Sequence, residues 1–230
     1  MVEMTVSAEE VRRFDALAAR WWDPDGPMRP LHRMNPARID WIVERLGGAR
    51  QVLDVGCGAG IAAEALARRG FEVLGIDAAA ETIAVAVRHA AGMEGAPAYR
   101  VATAEELLAE GRRFPAIVAL EVIEHVVEPA AFLMVLAGLL EPGGRLFLST
   151  LNRTQRSFLA AKVGAEYLMR WLPVGTHDWR RFIKPAELAV MLREAGLRVT
   201  DMAGLAPDPL RGGWRCVRDT SVNYIVAAEG

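Results

Sequence analysis

The residues best suited to chemistry form a glycine-rich loop that follows an acid. The stretch Asp54-Val55-Gly56-Cys57-Gly58-Ala59-Gly60 comes after a short apolar run and leads into a helical pattern. Glycines at alternate positions let the backbone turn tightly and let a ligand approach it closely. A second acid, Asp77, ends the next apolar run, where a carboxylate can accept hydrogen bonds from both hydroxyls of a ribose. This spacing predicts a nucleoside-binding site.

The loop alone does not determine which nucleoside-containing ligand binds. Gly58-Ala59-Gly60-Ile61-Ala62-Ala63 also satisfies a relaxed dinucleotide pattern. Asp54 would repel the pyrophosphate of a dinucleotide, whereas an acid before alternate glycines resembles the S-adenosylmethionine loop of Rossmann-like methyltransferases. That molecule has an amino-acid tail and a sulfonium, so it tolerates a nearby carboxylate. The loop favours S-adenosylmethionine, and the alternatives are a dinucleotide-dependent oxidoreductase and a tight turn that binds nothing.

A loop of this kind needs a parallel sheet behind it, and the chain has the pattern of one. From Gln51 onward, short apolar runs alternate with helix-period stretches, as in repeated βαβ units. Strands are predicted at 51–55, 72–76, 98–101, 116–120, 145–149, 197–202 and 222–228, and helices at 60–69, 79–91, 129–140 and 185–195. The fold class is therefore α/β. The resemblance to methyltransferases further implies the Rossmann-like class I methyltransferase fold. Its sheet would have seven mostly parallel strands with an antiparallel last strand, and helices would cover both faces.

Two helices precede the first strand. Ser7 and Glu10 fit a capping box, and an apolar stripe follows them at helical spacing. Asn35 and Pro36 fit the cap and first turn of the second helix. We expect one domain over residues 1–230, in which 1–48 form the N-terminal helices and 152–184 an insert.

The composition argues against several classes of protein. Of the 230 residues 52% are apolar and 24% charged, which is ordinary for a globular domain, and the net charge of −2 gives no reason to expect nucleic acid as a partner. Two cysteines, Cys57 and Cys216, are too few for a disulfide framework and fit a reducing cytoplasm. We see neither a secretory leader nor an apolar run long enough to cross a bilayer. A cytoplasmic protein is expected.

The insert contains a basic and apolar island between the fifth strand and the next helix. Residues 153–184 include seven basic residues but only two acids, Glu166 and Asp178. The apolar residues fall near helical spacing, as in an amphipathic helix in a membrane interface, although a lid or a core helix would have the same pattern. The basic residues are Arg153, Arg156, Lys162, Arg170, Arg180, Arg181 and Lys184. The apolar residues are Phe158, Leu159, Val163, Tyr167, Leu168, Trp171 and Leu172.

Further stretches narrow the resemblance to one family. The fourth strand runs into Leu120-Glu121-Val122-Ile123-Glu124-His125-Val126, which resembles the motif after this strand in the same methyltransferases. With five more motifs, the chain resembles the ubiquinone-biosynthesis O-methyltransferases over nearly its whole length. Those motifs are Arg20-Trp21-Trp22-Asp23, the stretch from Pro30 to Arg38, Ser149-Thr150-Leu151-Asn152-Arg153, Gly164-Ala165-Glu166-Tyr167 and Gly175-Thr176-His177-Asp178.

The resemblance implies a reaction and a set of partners. The enzyme would transfer methyl groups from S-adenosylmethionine to ring hydroxyls of polyprenylated ubiquinone precursors, of the 3-demethylubiquinol and 2-polyprenyl-6-hydroxyphenol types. Because the polyprenyl chain lies in the bilayer, we expect reversible attachment to an anionic membrane surface at the inner face of the cytoplasmic membrane. A ubiquinone-biosynthesis complex is a further expected partner. The alternatives are methylation of a soluble phenol or catechol and a non-catalytic S-adenosylmethionine sensor.

The resemblance also implies which residues form the donor site. Ala59 replaces a glycine found in many members of the family, and Leu120 stands where a methionine can occur. Neither replacement alters the expected fold. The residues expected at the S-adenosylmethionine site are Arg38, Gly56, Gly58, Asp77 and Leu120.

A phenolic acceptor needs help with its proton, because the pKa of a phenol is about 10. His125 is the candidate general base. Alternatively, Mg²⁺ could bind the oxygen and lower its pKa. Glu121, Glu124 and His125 are the candidate ligands, since they lie at i, i+3 and i+4 and would share one face of a helix. The same residues could instead only shape the donor pocket.

Overall fold

A mixed β-sheet carries the predicted loop and the acids beside it. The computed structural model describes residues 7–158, 179–208 and 212–230. Its strands are β1 (Gln51–Val55), β2 (Glu72–Asp77), β3 (Ala98–Val101), β4 (Phe114–Leu120), β5 (Leu140–Leu151), β6 (Arg198–Asp208), β7 (Gly213–Val217) and β8 (Asn223–Glu229). Its α-helices are α1 (Ala8–Leu17), α2 (Arg29–Val43), α3 (Ile61–Ala67), α4 (Ala80–Ala90), α5 (Ala104–Ala109), α6 (Pro129–Leu139), α7 (Gln155–Ser157) and α8 (Pro185–Glu194).

The strand order places a crevice beside the glycine loop. The sheet runs β3-β2-β1-β4-β5-β8-β6-β7, and the strands from β3 to β5 pair in parallel. The last strand, β8, is antiparallel to β5 and to β6. Chain order reverses between β1 and β4, and such a reversal opens a ligand crevice at the carboxyl ends of the strands. The predicted α/β class, the parallel core and the antiparallel last strand are confirmed.

Alternating side chains bury both faces of this sheet. In β1, Leu53 joins a core with α5, α6 and α8, whereas Val52 joins a second core with α2 and α3. In β5 the same alternation puts Leu146 in the first core and Phe147 in the second. Because successive strand residues point to opposite faces, this pattern requires helices on both sides of the sheet.

The predicted count of seven strands is wrong, because the sheet formed by the described residues has eight. The sequence analysis missed β7 and the short helices α5 and α7. Strand β7 pairs with β6 at the sheet edge and is only partly buried, so it has no strong apolar alternation. Helix α5 is short, yet it begins with a capping box in which Thr103 and Glu106 bond each other's backbone N–H. That Thr-x-x-Glu spacing was a visible signal for a helix start.

The predicted start of the second helix is wrong. Helix α2 begins at Arg29 with a proline in its first turn, and Asn35 and Pro36 lie inside it. The side chain of Asn35 does not cap α2. Its Nδ2 donates to the carbonyl of Ile61 at 2.9 Å and so ties α2 to the start of α3.

Much of the predicted insert falls outside the described residues. That part includes Lys162 and Arg170 and every predicted apolar residue except Phe158. On its described flanks, Arg153 pairs with Glu187 and Arg156 with Asp219. Within the ranges that the structure describes, no helix is long and apolar enough to cross a membrane.

Candidate active site

The predicted glycine loop connects β1 to α3 in a conformation that requires glycine. Gly58 has a φ of 54°, and a Cβ on it would lie 2.2 Å from Cζ2 of Trp21. Gly56 has a φ of 68°, and its Cβ would lie 2.6 Å from Cγ2 of Val122. A side chain at either position would strain the backbone and would collide with its neighbour. Direct contact of either glycine with a ligand stays a prediction.

Asp77, at the end of β2, lies against this loop. Its Oδ2 accepts the backbone N–H of Gly58 at 2.9 Å, and its Oδ1 accepts that of Ala79 at 2.9 Å. Burial raises the pKa of Asp77, while these two hydrogen bonds lower it. Since each carboxylate oxygen has two lone pairs, both oxygens can accept a further hydrogen bond. Asp77 can hold the loop and bind a pair of hydroxyls at the same time.

A cavity opens between the loop, the carboxyl ends of β1, β2 and β4, and helix α1. Apolar side chains such as Phe14, Ile61 and Ile76 form much of its wall. All residues expected at the donor site line it, and so do two of the three candidate metal ligands, Glu121 and His125. The expected donor residues in its wall are Arg38, Gly56, Gly58, Asp77 and Leu120.

Two buried groups of opposite charge meet at this cavity. Arg38 and Asp54 are only 3% and 2% exposed. Among the described residues, Nε and Nη1 of Arg38 and Oδ2 of Asp54 have no hydrogen-bond partner. Burial raises the pKa of Asp54 to about 7, against the opposing charge of Arg38. Buried polar atoms of this kind are normally satisfied, so they predict a ligand that carries complementary groups.

Glu121 follows Leu120, the last residue of β4, in a strained backbone conformation. Its φ is 58°, a region that residues other than glycine rarely adopt. The hydroxyl of Ser149 donates to its Oε1 at 2.7 Å, and Nη1 of Arg38 lies 3.5 Å from the same atom. The end of β5 thus fixes a carboxylate that faces the guanidinium of Arg38.

The three candidate metal ligands do not share one face of a helix. The helix that would put them on one face does not form, because residues 121–125 make bends and turns. Glu124 is buried, its Oε2 accepts from the hydroxyl of Thr150 at 2.9 Å, and burial together with the Glu121 charge raises its pKa to about 7. In the described part of the chain, no three His, Cys, Asp or Glu side chains are arranged to hold a metal. This arrangement does not fit a shared cation, and no step is derived through one.

His125 instead contacts helix α1. Its Nδ1 lies 3.1 Å from Oε2 of Glu10, and its ring meets that of Phe14 edge to face at 5.3 Å. The N–H is not aligned on the oxygen as in a regular hydrogen bond, and the contact is an ion pair only when His125 is protonated. Burial lowers the pKa of His125, but Glu10 and Glu124 raise it above its ordinary value.

The predicted capping box at the start of α1 is wrong in one half. Ser7 is the N-cap, and its side chain accepts the backbone N–H of Glu9 at 3.2 Å. Glu10 does not turn back to Ser7, because its carboxylate pairs with His125. A local pattern could not reveal this partner, which lies more than a hundred residues along the chain.

Sequence comparison identifies the family. Residues 12–201 match the family model described as a methyltransferase domain. A ubiquinone biosynthesis O-methyltransferase from Alkalilimnicola ehrlichii is 49% identical over 223 residues, which cover 96% of this chain and 90% of that protein. Another, from Methylobacterium nodulans, is 46% identical over 238 residues, with 98% and 96% covered. The chain belongs to the ubiquinone biosynthesis O-methyltransferase family.

Solved structures agree on the fold of this O-methyltransferase. Magnesium protoporphyrin IX methyltransferase from Synechocystis PCC 6803, solved with bound SAH, superposes with a TM-score of 0.66 at 20% identity and with 95% and 94% of the two chains covered. A possible histamine N-methyltransferase from Thermotoga maritima gives 0.65 at 17% identity, with 96% and 98% covered. At these identities the likeness concerns the fold alone. The predictions of a Rossmann-like methyltransferase fold, of a methyltransferase and of this family are confirmed.

Proposed function

We propose that this O-methyltransferase uses S-adenosylmethionine to methylate ring hydroxyls of polyprenylated ubiquinone precursors, of the 3-demethylubiquinol and 2-polyprenyl-6-hydroxyphenol types. The names of the relatives support the pathway and the oxygen as acceptor atom. S-adenosylmethionine supplies an electrophilic methyl group on a sulfonium. The chain's own residues bind it, orient the acceptor and take up a proton.

The observation that carries this proposal is the pair of buried charges at the cavity. Arg38 has guanidinium nitrogens without hydrogen-bond partners in the described residues, and Asp54 has such an oxygen. An amino-acid tail has a carboxylate for the first and an ammonium for the second. Asp77, on the neighbouring strand, has the acceptor capacity for ribose hydroxyls. S-adenosylmethionine contains all three of these groups.

A dinucleotide fits the same cavity poorly. Its pyrophosphate would lie near Asp54, and the repulsion is strong where water is excluded. Nor does an oxidoreductase agree with the family of the chain. A soluble phenol as acceptor and a non-catalytic sensor remain as rivals, because they would use the same donor residues.

His125 is the candidate general base. It lines the cavity next to Glu121, near the end of β4 where the donor site lies. A base at this point can remove the hydroxyl proton as the new bond forms, which typically accelerates such a step by about 10²–10⁴-fold. Correct alignment of the oxygen, the methyl carbon and the sulfur contributes further.

The Mg²⁺ site at Glu121, Glu124 and His125 stays a prediction that the geometry above does not support. Dialysis against a chelator tests it. A loss of activity that added Mg²⁺ restores would support metal activation of the acceptor. Full activity after chelation would exclude activation by Mg²⁺ and would favour His125 as the general base.

Membrane attachment and domain organisation belong to the same proposal. We propose one domain, with residues 1–48 as N-terminal helices and 152–184 as an insert that meets the substrate and the inner face of the cytoplasmic membrane. A polyprenyl chain partitions into lipid, and the insert is rich in basic and apolar residues. Attachment predicts sedimentation with anionic liposomes at low salt. If the protein does not sediment with such vesicles, the proposal that the insert docks on the membrane is wrong. Membership of a ubiquinone-biosynthesis complex is a separate expectation.

A transfer assay with labelled S-adenosylmethionine tests the function itself. We expect the label to enter a long-chain polyprenyl hydroxyphenol faster than its chain-free counterpart. Preference for the chain-free phenol would favour the soluble-phenol rival. Binding of the donor without transfer to either acceptor would favour the sensor.

A further inference from the structure

The Trp21-Trp22 pair is a sequence motif that the function above leaves without a role. It follows helix α1, and both rings contact the glycine loop. Trp21 is 6% exposed and belongs to a small apolar core that also contains Ala59 and Ile61. The segment after α1 and the glycine loop therefore share one core, although Trp22 and Ala59 are 37 residues apart in the chain.

The two tryptophans contact the loop in different ways. A Cβ on Gly58 would lie 2.2 Å from Cζ2 of Trp21, so this ring packs directly on the backbone of the loop, and Trp21 also lines the cavity. Nε1 of Trp22 donates to the carbonyl of Ala59 at 2.9 Å. Because Ala59 is fully buried, no water can replace this donor, and its loss would leave a buried carbonyl unsatisfied.

The ring of Trp22 has a fixed support on the two helices behind the loop. It stacks on the imidazole of His89 in α4, with the ring centroids 3.5 Å apart and the planes 3° from parallel. Nδ1 of His89 lies 2.6 Å from Oε1 of Glu64 in α3, and Oε2 of Glu64 accepts from Nη2 of Arg68 at 2.6 Å. Glu64 is fully buried. Since α3 and α4 fix this support, the indole N–H faces the carbonyl of Ala59 before any ligand binds.

We propose that Trp22 is a positioning residue for the donor: its indole N–H holds the Ala59 peptide, so that the loop from Gly58 to Gly60 already has the conformation that binds S-adenosylmethionine. This inference rests on the proposed function. Without the N–H, the loop exchanges with conformations that do not bind, and the apparent affinity falls with the fraction of molecules in the competent one. Trp22 acts through Ala59 and not by contact with the reacting atoms.

The simpler explanation is that Trp22 only fastens the N-terminal segment to the protein. Trp41 in α2 provides a matched control, because it is a buried tryptophan of the same N-terminal region that is packed in the second core, edge to face with Phe147 at 6.3 Å. Phenylalanine at either position keeps an aromatic ring and removes the indole N–H. If fastening is the only role, both Trp→Phe variants should lower the stability and neither should change the affinity for the donor.

Isothermal titration with S-adenosylhomocysteine measures this affinity at a temperature at which every variant is folded. We expect Trp22→Phe to weaken binding by about 5–20-fold, because the buried carbonyl of Ala59 loses its hydrogen bond. Trp41→Phe should bind within about 2-fold of the wild type, since distant sites act independently. At saturating donor, the KM of Trp22→Phe for a prenyl hydroxyphenol should stay within about 2-fold of the wild type, because the change concerns donor binding.

Amide hydrogen exchange of the segment 56–61 is a second readout that a fastening role would not change. In ligand-free Trp22→Phe, we expect this segment to exchange about 10-fold faster than in the wild type, because the loop opens more often. Saturation with S-adenosylhomocysteine should restore its protection. In Trp41→Phe, the same segment should exchange as it does in the wild type.

Wild-type affinity of Trp22→Phe, or equal losses of affinity in the two variants, would overturn the inference. So would unchanged hydrogen exchange of the loop in Trp22→Phe. A wild type that does not bind S-adenosylhomocysteine would instead refute the proposed function. The two failures are therefore distinguishable.

Discussion

The carboxylate of Asp77 joins the end of β2 to the glycine loop that follows β1, because its Oδ2 accepts the backbone N–H of Gly58 at 2.9 Å. Both residues line the cavity. The group expected to bind the ribose therefore also fixes the shape of the loop that it faces. Under the proposed function, recognition of the donor and the conformation of its loop depend on the same side chain.

Asp77→Asn should weaken the binding of S-adenosylhomocysteine by about 10–100-fold, because it removes the charge and puts an N–H donor where acceptors are needed. Isothermal titration measures this loss. Glu72→Gln, at the opposite end of the same strand, is the matched control and should bind as the wild type does. Unchanged affinity of Asp77→Asn would remove Asp77 from the donor site.

Gly58→Ala should reduce stability by more than 2 kcal/mol, about the cost of a strained φ with an added steric clash. The new Cβ would collide with Trp21, 2.2 Å away. Gly70 also has a positive φ, of 87°, but a Cβ there meets nothing within 4 Å, so Gly70→Ala isolates the backbone strain at about 1 kcal/mol. Thermal and denaturant unfolding give both values. Equal costs for the two variants would contradict the close contact with Trp21.

Arg38→Lys should weaken the binding of S-adenosylhomocysteine by about 10-fold. Lysine keeps the charge but lacks the planar guanidinium that binds a carboxylate with two hydrogen bonds. Arg33→Lys, an exposed substitution in the same helix, is the control. A titration in which both variants match the wild type would show that Arg38 does not hold the amino-acid tail.

The affinity for S-adenosylhomocysteine should rise as the pH increases from 6 to 8. Burial raises the pKa of Asp54 to about 7, so at pH 6 its carboxyl is mostly protonated. The ammonium of the ligand favours the ionised form, so binding at pH 6 must release a proton, and the rise stops above the pKa of the free protein. Titrations in two buffers of different ionisation enthalpy measure that proton. If the Asp54→Asn variant still releases a proton on binding, that proton comes from another group.

The sequence predicted the central sheet well because local patterns specify it. Strands β1, β2 and β4 are short runs of mainly apolar residues, and the glycine loop follows β1 where the pattern put it. The edge strand β7 was not predicted, because Gly213–Val217 is only partly buried and lacks alternation. The capping signal of Thr103 and Glu106 was present but was not used.

The site was less accessible to sequence reasoning, because its contacts are long-range. The hydroxyls of Ser149 and Thr150 hold Glu121 and Glu124, and nothing local in β5 indicates this. Helical spacing suggested a metal site for these acids, but the turn after β4 directs them to separate partners. Glu10 fitted a capping box by its spacing, yet tertiary packing gave it His125 instead.

Isothermal titration of the wild-type protein with S-adenosylhomocysteine and with NAD tests the central claim most directly. The account predicts one S-adenosylhomocysteine per chain and no heat of binding with NAD. Binding of NAD without binding of S-adenosylhomocysteine would contradict it.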